Sequence, residues 1–310
     1  MLELKNICYS YLNKNGETQA IKNVNFEVLE GDFVAILGPS GSGKTTILSL
    51  ISGLLTPTHG QILLENKLFS PKDNLTGYMF QKDLLLEWRT VEKNIALSLE
   101  VQRKKITRRI KKEFKIKHIK QNQPHLLEEN NTLKKYQPNF DIPNLSGLND
   151  KDVKTLQKAF IANEFKTRKK YAAELLKKYG LWDFRKKYPH QLSGGMRQRV
   201  ALIRTLVQMP KLLLLDEPFS ALDYQTRLNL CDDVANIISS EGKTAILVTH
   251  DITEALSMAN KIIVLTKRPA TVKNIHVIEI SRELTPFKRR EQGAFLQYFE
   301  VIWKELQGDE

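Results

Sequence analysis

The chain has 310 residues, 41% of them apolar, enough to build one large α/β domain or two smaller ones. No run of about 18 apolar residues occurs, so no segment is expected to cross a membrane, and the first residues lack the basic-then-apolar layout of a secretory signal. Cys8 and Cys231 fit neither a metal-ligand spacing nor a disulfide framework and read as reduced thiols of a cytoplasmic protein, while the net charge of +13 suggests nucleic acid or an acidic membrane surface as a partner.

Taken in chain order, residues 24–28 alternate apolar and polar side chains, as a half-buried strand does. Residues 33–37 form a continuous apolar run, the pattern of a strand buried on both faces. A glycine-rich turn follows, then a helix over 44–52 that Gly53 should stop. Short strands are expected at 61–64 and 75–80.

The chain then changes character. Residues 101–170 hold 19 Lys/Arg and 7 Asp/Glu, so they carry +12 of the net +13. Ten basic residues fall between 103 and 120, opposed only by Glu113. Among them Ile106, Ile110 and Phe114 stand at helical spacing, a stripe suited either to a lipid surface or to a core contact. Residues 121–148, with Pro124, Pro138 and Pro143, read as a polar loop, and helical periodicity returns over 150–178 with Asn149 or Asp150 as N-cap. Strands follow at 211–215, 245–248 and 262–265, and an amphipathic helix closes the chain over 292–306.

Gly38-Pro39-Ser40-Gly41-Ser42-Gly43-Lys44-Thr45 matches the phosphate-loop pattern G-x-x-x-x-G-K-[ST] in full. It leaves a buried strand and opens a helix, so backbone N–H groups can converge on phosphate oxygens. Lys44 would reach the β- and γ-phosphates of ATP, the Thr45 hydroxyl would bind Mg²⁺, and Thr46 belongs to the same nucleotide-binding stretch. Leu212-Leu213-Leu214-Leu215-Asp216-Glu217 is a buried strand ending in two acids. Asp216 would face the magnesium, and Glu217 would polarise the attacking water.

Leu192-Ser193-Gly194-Gly195-Met196-Arg197-Gln198-Arg199 is a Ser-Gly-Gly turn opening a helix, a second anion-binding terminus in one chain. This stretch resembles the signature of ATP-binding-cassette ATPases. The resemblance implies an α/β phosphate-loop core with an antiparallel β part and a helical subdomain. It also implies a head-to-tail pair in which Ser193, Gly194 and Gly195 act on the partner's γ-phosphate. On the same resemblance Gln81 looks like the glutamine joining metal to permease, and Ser220-Ala221-Leu222-Asp223 like the loop that crosses the dimer. His250 looks like the histidine at the γ-phosphate, and Tyr11 like the aromatic on adenine, with Tyr9 as competitor. His190 reads as structural, and Leu145-Ser146-Gly147-Leu148, a partial look-alike of the signature, as a loop.

The stretch Leu85-Leu86-Glu87-Trp88-Arg89-Thr90-Val91 resembles that of nitrate, sulfonate and taurine importer ATPases, with Glu87 in place of proline; the same branch includes importers of pyrimidine-type precursors. This implies an ATPase at the cytoplasmic face of the membrane, separate permease subunits and, indirectly, an extracytoplasmic solute-binding protein. An exporter ATPase or a soluble cassette acting on nucleic acid are the alternatives; nucleic acid is not expected. The expected layout is one domain. Its nucleotide-binding core spans 1–95 and 181–280, its helical subdomain 96–180 with an insertion near 104–165, and its closing helix 281–310. The basic run 103–120 is a candidate contact for acidic lipid.

Overall fold

A computed structural model describes residues 1–13, 16–70, 75–122, 140–220 and 222–307. Two sheets organise them. An antiparallel sheet has the order β2-β1-β4-β5, with β1 Leu2–Asn13, β2 Gly16–Val28, β4 His59–Leu64 and β5 Lys67–Leu68. The second sheet runs β10-β9-β3-β8-β7-β6. Its members are β3 Phe33–Leu37, β6 Thr76–Met79, β7 Leu212–Asp216, β8 Thr244–Val248, β9 Lys261–Leu265 and β10 Val272–Val277. All its pairings are parallel except that of β10 with β9.

The parallel strands are covered on both faces, which is why they read as unbroken apolar runs; every residue of β7 and β8 is buried. Helix α1, Lys44–Ser52, lies between the sheets, with Ile47, Leu48, Leu50 and Ile51 in the core shared by β1, β2 and β3. It stops where Gly53 takes a left-handed φ of 76° and returns its N–H to the Leu50 carbonyl. The other face is covered by α2 Val91–Asn122, α3 Asp150–Lys178, α4 Gly194–Leu206 and α5 Tyr224–Ser240. Helix α6 Ile252–Met258, the short α7 Pro286–Arg290 and the closing α8 Gly293–Gln307 complete the chain.

The basic segment departs most from expectation. Helix α2 runs unbroken for 32 residues, so Gln121 and Asn122 are helical and the basic run continues a helix of the main body. The stripe Ile106, Ile110 and Phe114 is a core contact: it is buried against Ile142, Leu145 and Val153, with Phe160 edge-on to Phe114. A lipid-facing apolar stripe is therefore ruled out for these three. Glu113 is 2% exposed and accepts the Phe140 N–H at 3.0 Å. The Asn149 side chain accepts from the N–H groups of Lys151 and Asp152, which fixes the start of α3. Pro124 and Pro138 of the expected loop lie outside the described residues, and residues 140–148 form neither helix nor strand, the look-alike at Ser146 and Gly147 included.

Candidate active site

Register places the site. Ile36 of β3 pairs with Val248 of β8, Val248 with Asp216 of β7, and Leu215 with Met79 of β6. Two residues beyond these partners come Gly38, His250 and Gln81, while Asp216 and Glu217 end β7. Four segments distant in sequence thus meet at the carboxyl ends of the parallel strands, where open α/β sheets bind ligands.

The loop 38–45 reaches α1 through Gly43, which has φ 92° and supplies no side-chain cap. The first N–H groups of α1 are left for an anion. A side chain at Gly43 would also meet Ile21 Cδ1 at 2.7 Å. Lys44 is buried and folds back, its Nζ donating to the carbonyls of Gly38 and Pro39 at 2.9 Å each. Burial pulls its ammonium below the usual lysine range, opposed by Glu217 and Asp216.

Thr45 Oγ1 donates to Asp216 Oδ1 at 3.0 Å, and the Tyr78 hydroxyl donates to Asp216 Oδ2 at 2.9 Å. Burial pushes the Asp216 carboxyl up, with those two hydroxyls opposing. A divalent cation would offset that cost. Two adjacent oxygen donors beside a phosphate cradle fit Mg²⁺, which uses few protein ligands when phosphates complete its shell. No cluster of three or more His, Cys, Asp or Glu suited to an all-protein metal cage occurs among the described residues.

Glu217 has φ 42°, a left-handed value uncommon for a residue other than glycine. Its Oε2 accepts from Gln81 Nε2 at 3.1 Å, and its Oε1 lies 3.3 Å from His250 Nδ1. Gln81 also donates to Ser220 Oγ at 3.2 Å. Glu217 and His250 share a cavity of about 620 Å³ with Ser40, Gly41, Gly43, Lys44, Thr45, Thr46 and Arg268. Beside it the Tyr11 hydroxyl is 3.0 Å from Thr46 Oγ1, while Tyr9 meets the Tyr11 ring edge-on. Gly38, Pro39 and Ser40 also border a second opening toward Phe299 and Trp303 of α8.

Ser193, Gly194, Gly195 and Asp223 do not line that cavity. They form a separate group. Ser193 caps α4, accepting from Met196 N–H at 3.3 Å, and Asp223 caps α5, accepting from Thr226 N–H at 3.0 Å. A side chain at Gly194 would stand 2.8 Å from Leu222 Cδ2, so the two turns touch. Ser193 and Gly194 are exposed, and Ala221 between these turns is outside the described residues. Within one chain the two groups therefore do not share a cavity.

A clamp unforeseen in the sequence ties them. Arg197 of α4 binds Asp83 at 2.7 Å and Glu87 at 2.9 Å, and Arg204 donates to the carbonyls of Asp83 and Leu84. The segment after Gln81 is thereby fixed to the helix that Ser193 opens, and Glu87 makes one of the bonds. His190 lies at the surface, 3.8 Å from Glu87. The sequence assigned no site role to Tyr78 or Arg268; pairing of β6 with β7 brings the first to the site, and the segment after β9 brings the second.

A family model described as ABC transporter matches residues 21–220. The chain is similar to the uncharacterized ABC transporter ATP-binding protein YtlC of Bacillus subtilis, 36% identical over 307 residues, covering 98% of this chain and 95% of that protein. It is similar to the aliphatic sulfonates import ATP-binding protein SsuB of Bacillus cereus, 32% identical over 265 residues, covering 86% of this chain and 81% of that one. Among solved structures it is similar to a dimeric post-hydrolysis state of the ATP-binding cassette MJ0796 bound to ADP and Pi. The TM-score is 0.58 at 28% identity, covering 90% of this chain and 99% of that chain.

Proposed function

The chain belongs to the ABC transporter family of ATPases, and from that premise we propose that it hydrolyses Mg-ATP to power solute import through separate permease subunits. The observation that carries the reading is the convergence of Gln81 and His250 on Glu217 at the mouth of the phosphate-loop cavity. Phosphates rest on the N–H groups of residues 38–46. Lys44 releases the two carbonyls it holds and binds β- and γ-oxygens. Glu217 accepts the proton of the attacking water, with His250 and Gln81 orienting its carboxylate. Thr45 and Asp216, with Gln81 at the edge, would hold magnesium, which would supply charge neutralisation for the transferring phosphoryl group. Tyr11, anchored through Thr46, offers its ring to adenine. Ser193, Gly194, Gly195 and Asp223 complete the site of a second, head-to-tail copy.

The permease would dock beside Gln81, where Trp88 is 75% exposed on the clamped segment and Leu84 is also exposed. Among the described residues no helix is long and apolar enough to cross a membrane. The proposed position is the cytoplasmic face of the membrane, with an extracytoplasmic binding protein delivering the solute. The Leu85–Val91 stretch and the likeness to SsuB favour a sulfonate, nitrate, taurine or pyrimidine-precursor class. Purifying the tagged chain from its own membranes tests the import reading. A multi-span permease should co-purify, and its binding protein should stimulate ATP hydrolysis. Recovery with ribosomes or nucleic acid, or with a permease indifferent to any binding protein, would overturn it.

Acidic lipid is the proposed contact of the basic part of α2. Lys104, Arg108, Lys111 and Lys115 are exposed and fall along one side of the helix, opposite the buried stripe. Each basic residue close to an anionic surface contributes about 1 kcal/mol, within a Debye length of about 8 Å. Replacing all four by Gln should weaken sedimentation with anionic vesicles about a hundredfold, corresponding to two or three lost contacts, and leave nucleotide binding unchanged. Equal sedimentation with neutral vesicles, or no loss in the variant, would return the segment to a tolerated insertion.

A further inference from the structure

A second cavity lies at the other end of the parallel strands, where β3 and β8 begin. It occupies about 190 Å³, and Lys243, Arg282 and Arg289 line it with no acidic side chain among its walls. Arg289 is 2% exposed. Its Nη2 donates to the Ala259 carbonyl at 2.7 Å, and its Nε has no acceptor among the described residues. Burial, then the like charge of Arg282, pulls its guanidinium down to about 10. Arg282 is partly satisfied, donating to Asp32 at 3.2 Å, but Asp32 also faces Lys261 at 3.5 Å. One carboxylate thus answers two cations, and neither is Lys243 or Arg289.

The plain structural role for Arg289 is to cap the end of α6 through Ala259. One bond to a carbonyl does not offset burying an unpaired guanidinium, which costs more than an ordinary capping bond returns. A neutral donor would cap the helix without that cost. An anion among the cations would offset that cost.

We propose that this cavity binds a small tetrahedral oxyanion, of the inorganic phosphate or sulfate class, between Arg289 and Lys243 with Arg282 at its edge. The size agrees. A water takes about 30 Å³, so the space holds such an ion with a few waters, and it falls short of the roughly 300 Å³ at which pockets for larger ligands begin. Guanidinium forks match tetrahedral oxyanions in two-pronged hydrogen bonding. This site is separate from the phosphate loop, at the opposite end of β3, and needs nothing from the ATP chemistry.

Titration calorimetry with inorganic phosphate tests it, at constant ionic strength and with magnesium and a non-hydrolysable ATP analogue filling the phosphate loop. One phosphate per chain should bind. Lys243→Ala and Arg289→Met should each weaken it about tenfold or more. Lys44→Ala, tested without nucleotide, should retain the site. Lys243 is only partly buried, so its variant keeps the test usable should Arg289→Met fail to fold. A selenate-soaked crystal should show an anomalous peak between the two side chains. No saturable binding beyond that of chloride, or unchanged affinity in the Lys243 variant, would overturn the assignment.

Discussion

Glu217→Gln is expected to bind Mg-ATP with near-normal affinity and to hydrolyse it slower by a factor on the order of 10² to 10⁴, the usual worth of a positioned base. The amide has the size of the carboxylate and can still accept the Gln81 hydrogen bond through its oxygen. What it loses is the capacity to take a proton from water. The turn at φ 42° is as accessible to Gln as to Glu, so no new backbone strain enters. The variant should hold ATP and accumulate as a dimer. Lys44→Ala behaves differently: it removes the cation that the phosphates need, so affinity itself falls. A coupled phosphate-release assay beside nucleotide binding separates the two. Normal turnover by Glu217→Gln would remove Glu217 from the role of base.

Ser193→Arg should leave ATP binding to the isolated chain unchanged and lower hydrolysis by roughly 10² to 10³, the cost of losing a donor aimed at developing charge. Ser193 and Gly194 are exposed and stand apart from the phosphate-loop cavity, so nothing in cis is disturbed at the nucleotide. The serine also caps α4, and losing that bond costs about 1 kcal/mol. A stability change of that size cannot produce a hundredfold loss of rate at unchanged affinity. Equal loss of binding and turnover would mean that the signature turn belongs to its own chain's site.

Which parts were legible in the sequence follows from where each signal resides. The strand at 33–37, the helix at 44–52 and its stop at Gly53 are set by contiguous residues, and they stand where expected. The same holds for Asn149, whose side chain alone fixes the start of α3. Strand β1 was not legible. Register shifts near Ile7 and Tyr9 and the positive φ of Asn6 break the alternation that would reveal it. Strand β10 is mostly exposed, so no apolar pattern marks it. The polar start of β2, Gly16–Gln19, hides for the same reason.

In the site, the motifs named Lys44, Asp216, Glu217 and Ser193, because each is a local pattern with its own chemistry. Tyr78 and Arg268 carry no such pattern; pairing of β6 with β7 brings one and the segment after β9 brings the other. The continuity of α2 was obscured because ten basic residues between 103 and 120 overwhelm the sparse apolar positions that face its partner helix. The departure at Glu87 gained a structural meaning only through Arg197.

The head-to-tail pairing of half-sites is most directly tested by mixing two single-cysteine chains, Ser40→Cys in one and Ser193→Cys in the other. Both would carry Glu217→Gln, with Cys8 and Cys231 replaced by Ser. Ser40 lines the nucleotide cavity and Ser193 does not, and both are exposed. With Mg-ATP and a short bifunctional maleimide, a covalent dimer should form in the mixture and be absent from either chain alone or without nucleotide. Dimerisation in solution with no cross-link in the mixture, or equal cross-linking of each chain with itself, would contradict the shared site.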